Sequence, residues 1–225
     1  MEFDLKKQTV RELNQALHDL PENSEETVVV NSLSGDHNVA VGMDRPAKIT
    51  LNGHAGYFCA GMNQKADITI NGNVGQGVAE NMMSGRVHVK GNASQSAGAT
   101  AHGGLLVIDG DAAARCGISM KGVDIVVKGS VGHMSSFMGQ SGCLVVCGDA
   151  GEALGDSLYE VHIYVKGEVA SLGADCVKKE MRPEHIEELG ALLEAAGCDE
   201  KPEEFTRYGS ARQLYHFKVD NASAY

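Results

Sequence analysis

The groups able to do chemistry are few and widely spaced. His54, His102 and His133 fall at related phases of glycine-rich segments, so they could meet at a metal only if those segments stack closely. Nothing resembling HExxH links them, and hydrogen-bonded or solvent-facing loop histidines are the simpler expectation. The six cysteines, Cys59, Cys116, Cys143, Cys147, Cys176 and Cys198, form no CxxC, and reduced thiols filling small core spaces are expected. An offset of four puts Cys143 and Cys147 on one side of a regular strand, or puts one in a turn. Around Gly75, Gly77 and Glu80 the chain loosely echoes a dinucleotide loop, but strand-like sequence returns by Val87, leaving no room for a crossover helix. No nucleophile–base pattern and no phosphate loop is present, so catalytic, cofactor-binding and metal residues are all assigned as none. Chemistry this sparse favours a scaffold or an interface.

The elements that must position these groups are visible as a repeat. Seven apolar runs close on Gly53, Gly72, Gly91, Gly110, Gly129, Gly148 and Gly167, each 19 residues after the last. A fixed period near 20 is the mark of a solenoid. The residues four and two before each glycine, from Ile49 and Leu51 to Ile163 and Val165, are aliphatic in all fourteen cases. Residues two apart in a strand share a face, so these columns point into one core. The column between them reads Thr50, Thr69, His88, Val107, Val126, Val145 and Tyr164. It faces outward, and its apolar turn toward the C-terminus implies a covered wall there.

A polar residue usually precedes each ladder glycine, a turn signal in which Gly supplies positive φ. Further glycines, Gly85, Gly104, Gly122 and Gly142, imply several bends and up to three short strands per unit. Stacked in register, about seven such coils make an all-β parallel β-helix. The first coil is expected at Thr27–Asn31, with Ser34 on the ladder phase.

The ends differ. Thr9 to Glu12 fits a capping box, and Val10, Leu13, Leu17 and Leu20 follow at helical spacing until Pro21. This helix, about 9–20, is expected to cover the N-terminal end of the solenoid, whose strand edges would otherwise template aggregation. A second helix is expected over 183–196, ended by Gly197, and then a tail, 197–225, carrying Phe205, Tyr208, Tyr215, Phe217 and Tyr225. The chain is read as one domain, 1–225, with coils over about 27–180.

Net charge is −11 with no basic run, which argues against nucleic acid and anionic membranes. The N-terminus has no signal-peptide core and no apolar run reaches 18 residues, so a cytoplasmic protein is expected. Met62, Met82, Met83, Met120, Met134 and Met138 gather in loop segments that occupy the same part of successive coils, either as an adaptable partner-binding wall or as corner filler.

The segments GHAGYFCAGMNQ, GNVGQGVAENMMSG, GNASQSAGATAHGG and VVCGDAGEALGDSLYE resemble the GXGXG domain, the C-terminal part of the glutamate synthase large chain. With RELNQALHDL, HNVAVGMD, VASLGADCVKKEM and YGSARQLYHFKVDNA added, the chain is most similar to the stand-alone GlxC-like form of that domain, which serves as a separate subunit of N-methylglutamate synthase. The resemblance spans nearly the whole chain. It implies a right-handed parallel β-helix without catalytic residues of its own. It also implies a cytoplasmic hetero-oligomer with a class II glutamine amidotransferase-like subunit and a glutamate synthase-like subunit holding FMN and an iron–sulfur cluster. Such a complex converts glutamate and methylamine to N-methylglutamate and ammonia. A subunit of a split glutamate synthase, or a free-standing interaction module, are the alternatives.

Overall fold

A computed structural model describes residues 1–214. The expected aromatic positions Tyr215, Phe217 and Tyr225 lie outside the described residues. The chain runs β1 (Glu2–Asp4), α1 (Val10–His18), β2 (Thr27–Asp36), β3 (Lys48–Ala55), β4 (Asp67–Asn71), β5 (Arg86–Val89), β6 (Leu105–Ile108) and β7 (Lys121–Val127). It continues through β8 (Ser141–Val146), β9 (His162–Val165), β10 (Cys176–Lys179), α2 (Pro183–Ala196) and β11 (Thr206–Ser210). The described strands form one 11-stranded sheet, parallel from β1 to β9, wound as a β-solenoid of about seven turns.

The repeat sets the register. Ile49, Ile68, Val87, Leu106, Ile125, Leu144 and Ile163 stack on one another, as do Leu51, Ile70, Val89, Ile108, Val127, Val146 and Val165. All fourteen are buried. β-Branched and aliphatic side chains suit this pleated stack, and a slip of one residue would turn the whole set outward. The rest of each coil carries less strand than expected. Each coil has one strand and one further bridged residue, in the column Ala55, Val74, Ala93, Ala112, Val131, Ala150 and Val169, rather than three strands.

The ladder glycines serve a different purpose from the one their turn signal suggested. Gly53 alone among them has positive φ, at 121°. From Gly91 to Gly167, an added Cβ would lie 2.5–2.9 Å from the carbonyl oxygen of the ladder glycine one coil earlier. The coils stack too closely for any side chain. Positive φ falls instead on the corner glycines before the strands, Gly85, Gly104, Gly122 and Gly142.

The first coil is also shifted. Leu33, not Ser34, lies opposite Gly53, because a bulge near Ser32 (φ 68°) inserts an extra residue.

At the N-terminal end, Thr9 and Glu12 cap α1 reciprocally: Glu12 N–H donates to Thr9 Oγ1 at 3.2 Å, and Thr9 N–H to Glu12 Oε2 at 2.7 Å. Leu13 and Leu17 enter the main core, and β1 adds a strand to the first coil. At the other end β11 inserts antiparallel between β9 and β10.

Candidate functional site

Between Gly56 and the next strand each coil makes a corner that the sequence does not announce. Left-handed residues occur at alternate positions: Phe58, Ala60 and Met62, then Gly77, Ala79 and Asn81, and so on to Ala153, Gly155 and Ser157. Non-glycine residues cost about 1–2 kcal/mol each in this conformation. Hydrogen bonds along the stack offset it. Phe58 and Met62 N–H donate to Gln76 and Glu80 of the following coil at 2.9 and 2.8 Å, while Ala60 N–H donates back to Val39 at 2.9 Å. The corner is thus pinned from both sides.

Side chains at these corners divide the methionine wall. Met82 and Met120 are fully buried core filler, whereas Met62, Met83 and Met138 are about half exposed. Apolar surface is left open at one corner, where Tyr57 is 52% exposed, Phe58 40% and Met62 52%. His37 stacks on Tyr57 with ring centroids 4.5 Å apart, and Phe58 and Met62 edge a shallow hollow of about 310 Å³ that also takes in Val41 and Glu80. Rigid backbone carrying adaptable apolar side chains suits contact with another macromolecule.

The histidines do not converge. His54 Nδ1 accepts the N–H of Asn73 at 3.0 Å and so starts a ladder one coil tall per rung. Asn73, Asn92, Asp111, Ser130 and Asp149 each accept the N–H of the residue 19 further on, at 2.8–3.0 Å. His102 and His133 are exposed on other columns. No group of metal-binding donors among the described residues includes any of the three. The ladder was missed in the sequence, although a polar residue follows every closing glycine, a short one (Asn, Asp or Ser) from Gly72 to Gly148.

The apolar middle column is covered, as its composition implied. Val107, Val126, Val145 and Tyr164 form a second core with Leu189, Leu193, Ala196 and Phe205 of α2 and the segment after it. Cys143 and Cys147 both sit on this wall, the first buried and the second half-buried. At the centre Glu188 Oε2 accepts from the Tyr164 hydroxyl at 2.5 Å and lies 2.8 Å from His162 Nδ1. Burial alone would raise its pKa. The hydrogen bonds from Tyr164 and His162 outweigh that and hold Glu188 below the usual carboxylate range.

Helix α2 has no basic residue in its last turn. The solenoid supplies the cations instead: Arg86 donates to the Ala195 carbonyl and Lys128 to the Gly197 carbonyl, both at 3.2 Å. Lys128 is also 2.9 Å from Asp109, which binds His88 at 2.9 Å. Burial would raise Asp109, but its bonds to His88 and Lys128 bring its pKa down to about 2. His88 itself is lowered, chiefly by burial.

Two donor groups accompany this helix, Cys143–His162–Glu188 and Cys147–Cys198–Glu200, each with its ligand atoms within 4.8 Å of one another. In the first, His162 and Glu188 are already engaged with each other in the lock just described. The second could chelate a thiophilic ion, although burial pushes the Cys147 thiol up to about 12 and that of Cys198 upward as well.

What the fold and these surfaces define is a β-solenoid with a helix strapped to one wall and an apolar patch on its corners. The chain belongs to the GlxC family. It is 60% identical over 225 residues to protein GlxC of Rhizobium meliloti (strain 1021), covering 99% of each chain. No family model matches the chain, and no solved structure matches it. Among the described residues no helix is long and apolar enough to cross a membrane.

Proposed function

We propose that this chain is the structural β-helix subunit of a heteromeric, glutamate synthase-like N-methylglutamate synthase. In this reading it carries no catalytic residue. It holds a class II amidotransferase-like subunit against a subunit that binds FMN and an iron–sulfur cluster, within a cytoplasmic complex. The complex exchanges the amino group of glutamate for methylamine and releases ammonia.

The observation that carries this reading is the match to GlxC from end to end, non-repeat termini included. The patch at Tyr57, Phe58 and Met62 supports a partner-binding role, because side chains of this kind lose water most favourably under a second protein. A split glutamate synthase subunit is the second reading, favoured by the same glycine-ladder segments. Assay of the complex purified through this chain separates the two. N-methylglutamate formed from methylamine and glutamate supports the first; glutamate formed only from 2-oxoglutarate with glutamine or ammonia replaces it with the second.

A further inference from the structure

A polar pocket of about 380 Å³ opens where β9, β10, β11 and the start of α2 meet. Its size is at the low end for small-molecule sites. Lys179, Arg182, Arg207 and Arg212 line it, together with His162 and His185. Four permanent cations in one hollow stand out in a chain with 19 Lys and Arg and a net charge of −11. Glu160 is the one acid among the lining residues, and both its oxygens bind Arg212 at 2.8 Å.

The remaining cations are poorly neutralised. Arg182 meets Glu184 at 3.3 Å, but both side chains are more than half exposed, where such pairs are weak. Arg207 donates one bond, from Nη1 to the Glu180 carbonyl at 3.2 Å. Its Nε is buried and makes no hydrogen bond. A buried donor left in this state keeps its full desolvation cost, which a bound acceptor would offset. His185 Nδ1 accepts the Arg182 N–H at 3.2 Å, which leaves its proton on Nε2 as a further donor. The first turn of α2 adds the positive end of a 14-residue helix.

From this convergence we infer that the pocket is a binding site for a small oxyanion, a phosphate or carboxylate group, held by Arg207, Lys179 and Arg182. Planar guanidinium groups match such oxygens in pairs, and the bound charge would relieve the crowding of like charges. The inference is independent of the partner assignment, because it concerns a free ligand and this chain alone.

Calorimetric titration of the full chain with inorganic phosphate, and separately with succinate, tests it at low ionic strength. Saturable binding of either is expected, and the tighter of the two names the source of the oxyanion. Arg207→Gln should weaken it roughly tenfold or more, the loss of a hydrogen bond to a charged group. Lys179→Gln, which removes a second cation of the same hollow, should also weaken it. Saturation by neither anion at millimolar concentration would overturn the inference, as would binding that both variants retain in full.

Discussion

At the residue scale the molecule separates two uses of glycine. Gly129 has no room for a Cβ, which would lie 2.7 Å from the Gly110 carbonyl oxygen. Gly197 has nothing within 4 Å but holds the left-handed C-cap of α2 at φ 66°. Gly197→Ala should therefore cost about 1 kcal/mol of conformational strain. Gly129→Ala must push two coils apart and should cost about 1–3 kcal/mol or more. Urea midpoints of the two variants check this; equal losses would mean that the coils can separate freely. Asn92→Ala removes the acceptor for the Asp111 N–H and should cost about 1 kcal/mol, whereas Asn92→Asp keeps the rung. Sequence alone located the ladder glycines but misassigned their purpose. Spacing reveals that a position must be glycine, while the choice between a φ requirement and a contact requirement depends on the coil one turn away. Leu33 eluded it likewise, since one bulge displaces the phase without changing any residue type.

At the element scale, α2 and its wall set the pH response. His88 and His185 are both lowered, chiefly by burial, so the folded state resists protons that the unfolded chain accepts near pH 6.5. Stability should fall as pH drops from about 6.5, because the unfolded state binds more protons there. Asp109 adds a second step. Its depressed pKa contributes stability above about pH 4 that is lost as pH approaches 2. Urea midpoints at pH 7.5 and 5.5 should differ in that direction, and a flat profile would contradict the assignment of both histidines. The cover over this wall was legible beforehand, because Val107, Val126, Val145 and Tyr164 are too apolar for an exposed column. Its polar lock was not, because Tyr164 and Glu188 lie 24 residues apart with no repeat relating them. The opposite end makes a separate prediction. Deleting residues 1–22 removes β1 and α1 and uncovers the core around Leu13 and Leu17. Soluble oligomers or precipitate should result on size-exclusion chromatography; an unchanged monodisperse species would show that the end needs no cover.

At the scale of the whole molecule, the solenoid gives a long rigid surface from very little chemistry. The 19-residue period established the fold before any other feature, since every column of the core repeats with it. The surface was less legible. The six methionines gather in one loop region, yet Met82 and Met120, two periods apart, are buried, while Met62 and Met138, four periods apart and one position earlier in the coil, are about half exposed. The account's central claim is that this surface serves an assembly. It is tested most directly by tagging the chain in its native cells and passing the purified material over a sizing column. Two larger chains and flavin absorbance should elute with it. A lone 23.7 kDa species, colourless and at full cellular abundance, would contradict the account.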